Sequence, residues 1–299
     1  MKKIALCFLT YGNLTQPTLW NKFIDHTKYN VYIHNKYDFE CEYNFHNYCI
    51  SNRIDTKWGD ISLVKATLLL FEEAIKNEDN SFFLLLSDKC IPLYNSSFIY
   101  NKIFEIDNNI ILCTDQHNNR YNEFYAKSFI KREDFKTSNQ WILLNRDTTN
   151  FFVQNNFTNH FGNEFFAPDE HYFVNICLRY NISFINKEIT YTNWDIAFEL
   201  KEKKNINPTH PHTYIFLNKN ILNKIREKGD YLFMRKIDKN CKFLLFKDAS
   251  DYINNYNPKD INNYLIIVDE VYKRVLKRHN TTWNRITDKN TPFDLKKIM

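Results

Sequence analysis

Ile4-Ala5-Leu6-Cys7-Phe8-Leu9-Thr10-Tyr11-Gly12 decides the fold. An unbroken apolar run cannot alternate between core and solvent, so a strand built from Ile4–Leu9 is covered on both faces. It then stops at once in polar Thr10 and Tyr11. A doubly covered strand with a polar end belongs inside a parallel sheet, where ligands bind beyond the carboxyl ends of the strands. Further strands are predicted at Asn30–His34, Phe82–Leu86, Ile110–Cys113 and Trp141–Leu144. Their polar ends include His34-Asn35-Lys36, Ser87-Asp88 and Thr114-Asp115. Between them, Asp60 is placed to cap a helix over Ile61–Lys76, in which Leu63, Val64, Thr67, Leu68, Phe71, Ala74 and Ile75 keep helical spacing. The expectation is an α/β fold with a mostly parallel central sheet flanked by helices.

Working outward, a helix is predicted over Asp169–Tyr180, a strand over Glu188–Thr192, a charged surface loop over Ala197–Asn207 and a helix over Asn218–Lys228 that stops at Gly229. Tyr231–Ile237 is short and dense, with Arg235 and Lys236 inside an apolar frame. From about Phe243 the chain turns polar, and Ile261–Arg278 has helical spacing. These shifts divide the chain into a domain at 1–242 and a helical C-terminal extension at 243–299, packed on the same domain.

Composition narrows the function classes. With 43% hydrophobic and 17% aromatic residues, the 299-residue chain can bury a sizeable core. Only 4 glycines are present and none forms a Gly-x-Gly-x-x-Gly turn, which argues against a dinucleotide fold. The net charge of +5 is scattered, with short clusters such as Lys201-Glu202-Lys203-Lys204, and reads as a solvated surface. A nucleic-acid binder would need a basic stripe and would bind with steep salt dependence. The 7 cysteines lack Cys-x-x-Cys spacing, and Cys7, Cys113 and Cys177 read as reduced core residues; a Cys41–Cys49 disulfide stays open. Met1-Lys2-Lys3 followed by a short apolar run imitates a signal peptide but reads better as the first strand. No run approaches the ~18 apolar residues of a membrane span. The expectation is a soluble or cytoplasmic protein.

Four constellations bear chemistry. In Phe165-Phe166-Ala167-Pro168-Asp169-Glu170-His171, Asp169 is read as a helix cap and Glu170 as a first-turn carboxylate kept ionised by the helix dipole. Such a group can take a proton from a hydroxyl, although plain helix capping explains the same residues. Arg235 and Lys236 are placed to meet a diphosphate, the alternative being surface bases with apolar stems. Trp194, before Asp195, offers a ring for sugar stacking or for the core. His210-Pro211-His212 lacks a carboxylate at ligand spacing, and no Asp-x-Asp occurs, so no metal site is expected.

Taken in order, several stretches resemble the core-2/I-branching β-1,6-N-acetylglucosaminyltransferase family, including its peptide O-xylosyltransferase relatives and its plant-like and microbial branch. They are Ala5–Gly12, Val31–His34, Lys57–Thr67, Phe83–Pro92, Trp141–Arg146, Pro168–Tyr172, Thr190–Trp194 and Leu232–Ile237. The resemblance implies a GT-A-type fold, a UDP-sugar donor, a glycan or glycoprotein acceptor, and inversion at the anomeric carbon with no divalent metal or other cofactor. It implies Glu170 as catalytic base, Lys236 as the group that neutralises the diphosphate, and Trp194 in the acceptor site, with Asp169 beside it. Thr10, Tyr11, His34, Trp58 and Asp88 fall in the segments expected on the donor side, with Arg235. The animal enzymes carry a second diphosphate-binding arginine where this chain has His210-Pro-His-Thr-Tyr214, leaving Arg235 or His212 as substitutes. N-acetylglucosamine is the expected sugar, with xylose or another UDP-linked sugar as alternatives. A rival of another class is a catalytically inactive glycan-binding module.

Overall fold

The computed structural model describes residues 1–38, 42–121, 129–162, 165–194 and 210–243. Apart from Phe243, the expected extension at 243–299 lies outside the described residues, as do its Ile261–Arg278 helix and the loop at Ala197–Asn207.

The main sheet has the order β2-β1-β3-β5. It is built from β1 (Lys3–Thr10), β2 (Tyr29–Asn35), β3 (Asn80–Ser87) and β5 (Leu143–Asn145). β1 pairs in parallel with both β2 and β3, whereas β5 joins β3 antiparallel. The pleat divides the central strands between two cores. Ile4, Leu6, Phe8, Phe82, Leu84 and Leu86 enter one. Ala5, Cys7, Leu9, Phe83 and Leu85 enter the other. This is the burial that the continuous apolar run requires, and the expected mixed α/β architecture with a mostly parallel sheet is what forms.

The first core is covered by α1 (Pro17–Phe23) and α3 (Ser96–Ile106). Trp20 of α1 lies edge-on to Phe8 at 4.9 Å and donates its indole N–H to the Cys90 carbonyl at 3.1 Å. The second core is covered by α2 (Ser62–Ile75), α4 (Arg146–Gln154) and α5 (Tyr172–Arg179). Asparagine side chains start two of these helices: Asn95 accepts from the Phe98 N–H at 2.8 Å and Asn145 from that of Thr148 at 2.9 Å. Asp60 does not cap α2 itself. Its carboxylate accepts the Ser62 N–H at 2.8 Å in a turn that leads into the helix.

A second sheet, β4-β8-β6, joins β4 (Ile91–Pro92), β8 (Phe233–Arg235) and β6 (Thr190–Thr192). A third pairs β7 (Tyr214–Leu217) with β9 (Ile237–Phe243) in parallel, and α6 (Lys219–Lys228), capped by Asn218, follows β7. One expectation is corrected here. Ile110–Cys113 forms only isolated bridges, because beyond Ile110 and Ile111 its backbone is held by a side chain: the Cys113 N–H donates to Asn186 at 2.7 Å. Arg235 and Lys236 stand where the chain passes from β8 to β9, which enter different sheets. The described cysteines, Cys49 among them, are free, and Cys41 lies outside the described residues.

Candidate functional site

β1, β2 and β3 run in parallel, so Thr10, His34-Asn35 and Ser87-Asp88 end at one edge of the sheet. Asp88 is half-buried there, and burial raises its carboxyl pKa against the opposing pull of Lys89, Arg235 and Lys236. β8 delivers Arg235 and the adjoining Lys236 to the same place: the Ile237 N–H bonds the Lys89 carbonyl at 3.0 Å. Arg235 is half-buried, with its guanidinium 4.2 Å over the buried Trp141 ring. Burial disfavours its charge, and Asp88, Asp169 and Glu170 act in the opposite direction. Lys236, also half-buried, is pushed down to about 8 by burial, Arg235 and Lys89, with Asp88 opposing.

The Asp169-Glu170 segment corrects the expected helix start. Pro168–Glu170 form a separate 3-10 turn, His171 breaks helical geometry at φ −129°, and α5 begins only at Tyr172. Three backbone bonds impose the break. The Ala167 N–H reaches the Gly59 carbonyl at 3.1 Å, the Glu170 N–H the Ala167 carbonyl at 3.0 Å, and the Glu170 carbonyl accepts from Ser138 at 2.7 Å. Ala167 takes a left-handed conformation to begin the turn. Asp169 therefore caps nothing: it is half-buried, its Oδ1 is shut off from solvent without a protein partner, and desolvation, then the Glu170 charge, pushes it up to about 7. Glu170 is oriented by an ion pair with Arg120 rather than by a helix dipole.

Around this carboxylate stands an aromatic wall. Trp58, exposed on the loop before α2, meets Phe166 edge-on at 5.7 Å and His210 at 6.1 Å. The Arg120 guanidinium lies 5.0 Å over the Phe166 ring. Trp194, 40% exposed, follows the end of β6, where Thr192 is in register with Arg235. The structure thus gathers Glu170, Asp169, Asp88, Arg235 and Lys236 into one electrostatic cluster, with Trp58 on its rim.

Other expected site residues stand apart or are closed. Tyr11, exposed, packs on Tyr37 at 5.0 Å with the Lys36 ammonium near both rings. Thr10 is buried with an unpartnered hydroxyl. His34 is fully buried, and its Nε2 accepts the Ile54 N–H at 3.1 Å, so one ring nitrogen serves the fold. Its Nδ1 has no protein partner, and burial lowers its pKa. His212 also sits below its ordinary value through burial, so it is a poor substitute for an arginine cation. His210 and His212 face different rings, Trp58 and Tyr214. Among the described residues, no group of three or more His, Cys, Asp or Glu side chains is placed to hold a metal ion.

Sequence reading missed Arg120 and Lys89. Arg120 lies in a 3-10 turn at Asn118–Arg120 with no periodic pattern to mark it. Lys89 was signalled only by its place directly after the Ser87-Asp88 strand end.

The mostly parallel sheet thus brings a half-buried cation pair to its carboxyl edge, with an open carboxylate in the same electrostatic cluster. The chain belongs to the Core-2/I-Branching enzyme family, whose model matches residues 4–226. It is also similar to a rice protein (Oryza sativa subsp. japonica) named Glycosyltransferase BC10, with 22% identity over 250 residues. The match covers 71% of this chain and 62% of that protein's length. Among the described residues, no helix is long and apolar enough to cross a membrane.

Proposed function

We propose that the protein is an inverting glycosyltransferase that moves a sugar, N-acetylglucosamine first among the candidates, from a UDP-sugar to a hydroxyl of a glycan. Glu170 takes the proton of the acceptor hydroxyl as its oxygen attacks C1 of the donor sugar. The bond from C1 to the diphosphate breaks, and UDP leaves with the electron pair. Lys236 meets the charge that develops on the diphosphate, and no divalent metal is required. The observation that carries this reading is the arrangement of Glu170, half-exposed, on the same cluster as Arg235 and Lys236. Arg235 is assigned a supporting part: half-buried over Trp141, it offsets the Asp88, Asp169 and Glu170 charges and keeps the site from becoming anionic. Asp169, read from the sequence as an acceptor contact, is reassigned to the wall behind Glu170, because its Oδ1 is shut off from solvent.

The test is UDP release from a panel of UDP-sugars with glycan acceptors and excess EDTA, for wild type and Glu170→Gln. One donor should support turnover, and the variant should lose on the order of 10²–10⁴-fold while still binding that donor. Normal turnover by the variant would remove Glu170 as base, and rescue by manganese of an EDTA-silenced enzyme would remove the metal-free mechanism. The exposed Trp58–Phe166 wall also favours a second reading, a glycan-binding module without catalysis. That module would bind glycans and release no UDP.

A further inference from the structure

We propose that Arg120 is a positioning residue that occupies the Glu170 carboxylate while no acceptor is bound, and thereby suppresses hydrolysis of the donor by water. The inference rests on the transferase reading above and adds to it a device for acceptor control.

The geometry is specific to the acceptor side. The Arg120 Nη1 donates to Glu170 Oε2, and the two side chains are 19% and 35% exposed, so solvent and ligands can reach the pair. The same guanidinium covers the Phe166 ring, which in turn meets Trp58. Arg120 therefore lies against both things an acceptor sugar would use: the carboxylate that takes its proton and the aromatic face on which its ring stacks. The Glu170 backbone cannot yield to make room. It is tied to Ala167 through its N–H and to Ser138 through its carbonyl. What can move is the Arg120 side chain, which hangs from a short 3-10 turn.

A guanidinium on Oε2 takes an acceptor position on that side of the carboxylate and offsets the charge that would draw a proton from a hydroxyl. Water alone gains too little from the site to displace a charge-assisted hydrogen bond and a cation–π contact together. An acceptor sugar stacked on Phe166 replaces both contacts at once. The reaction held in check is balanced as follows. A water oxygen bonds to C1, the bond from C1 to the diphosphate breaks, UDP leaves with the electron pair, and Glu170 takes the water proton and returns it to solvent. The products are UDP and the free sugar.

The test uses the full-length chain as wild type, Arg120→Gln, Arg120→Lys and Glu170→Gln, with two readouts. The first needs no substrate: carbodiimide and glycinamide modify Glu170 at one fixed pH, and peptide mass spectrometry reads the yield. Arg120→Gln should raise that yield by about three- to tenfold, the range expected for loss of a partly exposed ion pair, with Arg120→Lys close to wild type. The second readout is free sugar and UDP from UDP-N-acetylglucosamine and UDP-xylose with no acceptor added. Arg120→Gln should hydrolyse donor about three- to tenfold faster than wild type, Arg120→Lys should restore restraint, and Glu170→Gln should abolish hydrolysis. A merely structural role for Arg120 would slow hydrolysis or leave it unchanged. Unchanged labelling, or unchanged hydrolysis in an enzyme that Glu170→Gln inactivates, overturns the inference alone. Failure of the wild type to bind or hydrolyse any UDP-sugar overturns the transferase reading, and the inference with it.

Discussion

Asp169→Asn should stabilise the protein, and by more at high pH than at low. The side chain is half-buried, its Oδ1 is shut off from solvent with no protein partner, and its pKa is pushed from an ordinary 3.8 up to about 7. A carboxyl whose folded pKa lies above its unfolded value binds protons more tightly in the fold. Stability is therefore lost as pH rises from about 4 to 7 and then levels off. With those two values, ionisation of Asp169 costs about 2 kcal/mol at pH 5 and about 4 kcal/mol at pH 8. Asparagine has nearly the same shape and does not titrate, so the advantage of the variant should grow by about 2–3 kcal/mol between those pH values. At about 2 °C per kcal/mol for a chain of this size, the gap in Tm should widen by roughly 5 °C. Urea or thermal melts of both proteins at pH 5, 6, 7 and 8 provide the assay. A stability difference that stays constant across that range would refute the reasoning, since it would mean that Asp169 titrates alike in the folded and unfolded chains.

Lys236, pushed down to about 8, should lose its charge as pH rises through that value, so UDP-sugar affinity should weaken between pH 7 and 10. Loss of one charged hydrogen bond is worth on the order of tenfold, and Lys236→Arg should flatten the profile in calorimetric titrations. A wild-type affinity independent of pH would remove Lys236 from the donor site. Asn109→Ala should lower stability by about 2–3 kcal/mol, seen as a lower urea midpoint with an unchanged slope. The Asn109 amide donates to the Thr148 hydroxyl at 2.9 Å and the Ser183 carbonyl at 2.8 Å, and its Oδ1 accepts from Asn145 at 2.8 Å. A midpoint shift of a few tenths of a kcal/mol would show that water replaces these partners.

The main sheet was legible because burial on both faces leaves a mark in one short window. Ile4–Leu9 and Phe82–Leu86 could hardly have been anything but central strands, and their polar ends marked the edge where Asp88 lies. Asn218 and Gly229 likewise bracketed α6 through chemistry local to its ends. The weak strands were less legible. Ile110–Cys113 has the apolar content of a strand, but whether it pairs depends on Asn186, 73 residues away.

The candidate site divides along the same line. Glu170 and Lys236 lie in short stretches that carry a family resemblance, so they were recognisable one at a time. The reading of Asp169 as a helix cap fails, although a residue after proline at a helix start is ordinarily a solvated cap. Gly59 and Ser138 pull this segment into a separate turn, and its Oδ1 is shut off from solvent instead. Arg120 carried no local signal, and its partnership with Glu170 spans 50 residues.

By itself, the sequence determined which segments are buried strands and helices, because hydrophobic periodicity and capping act over a few neighbouring residues. Only the tertiary structure decided which charges meet, which carboxyl is desolvated and which arginine holds the base. Those outcomes depend on distances and burial between distant segments, and only packing sets them.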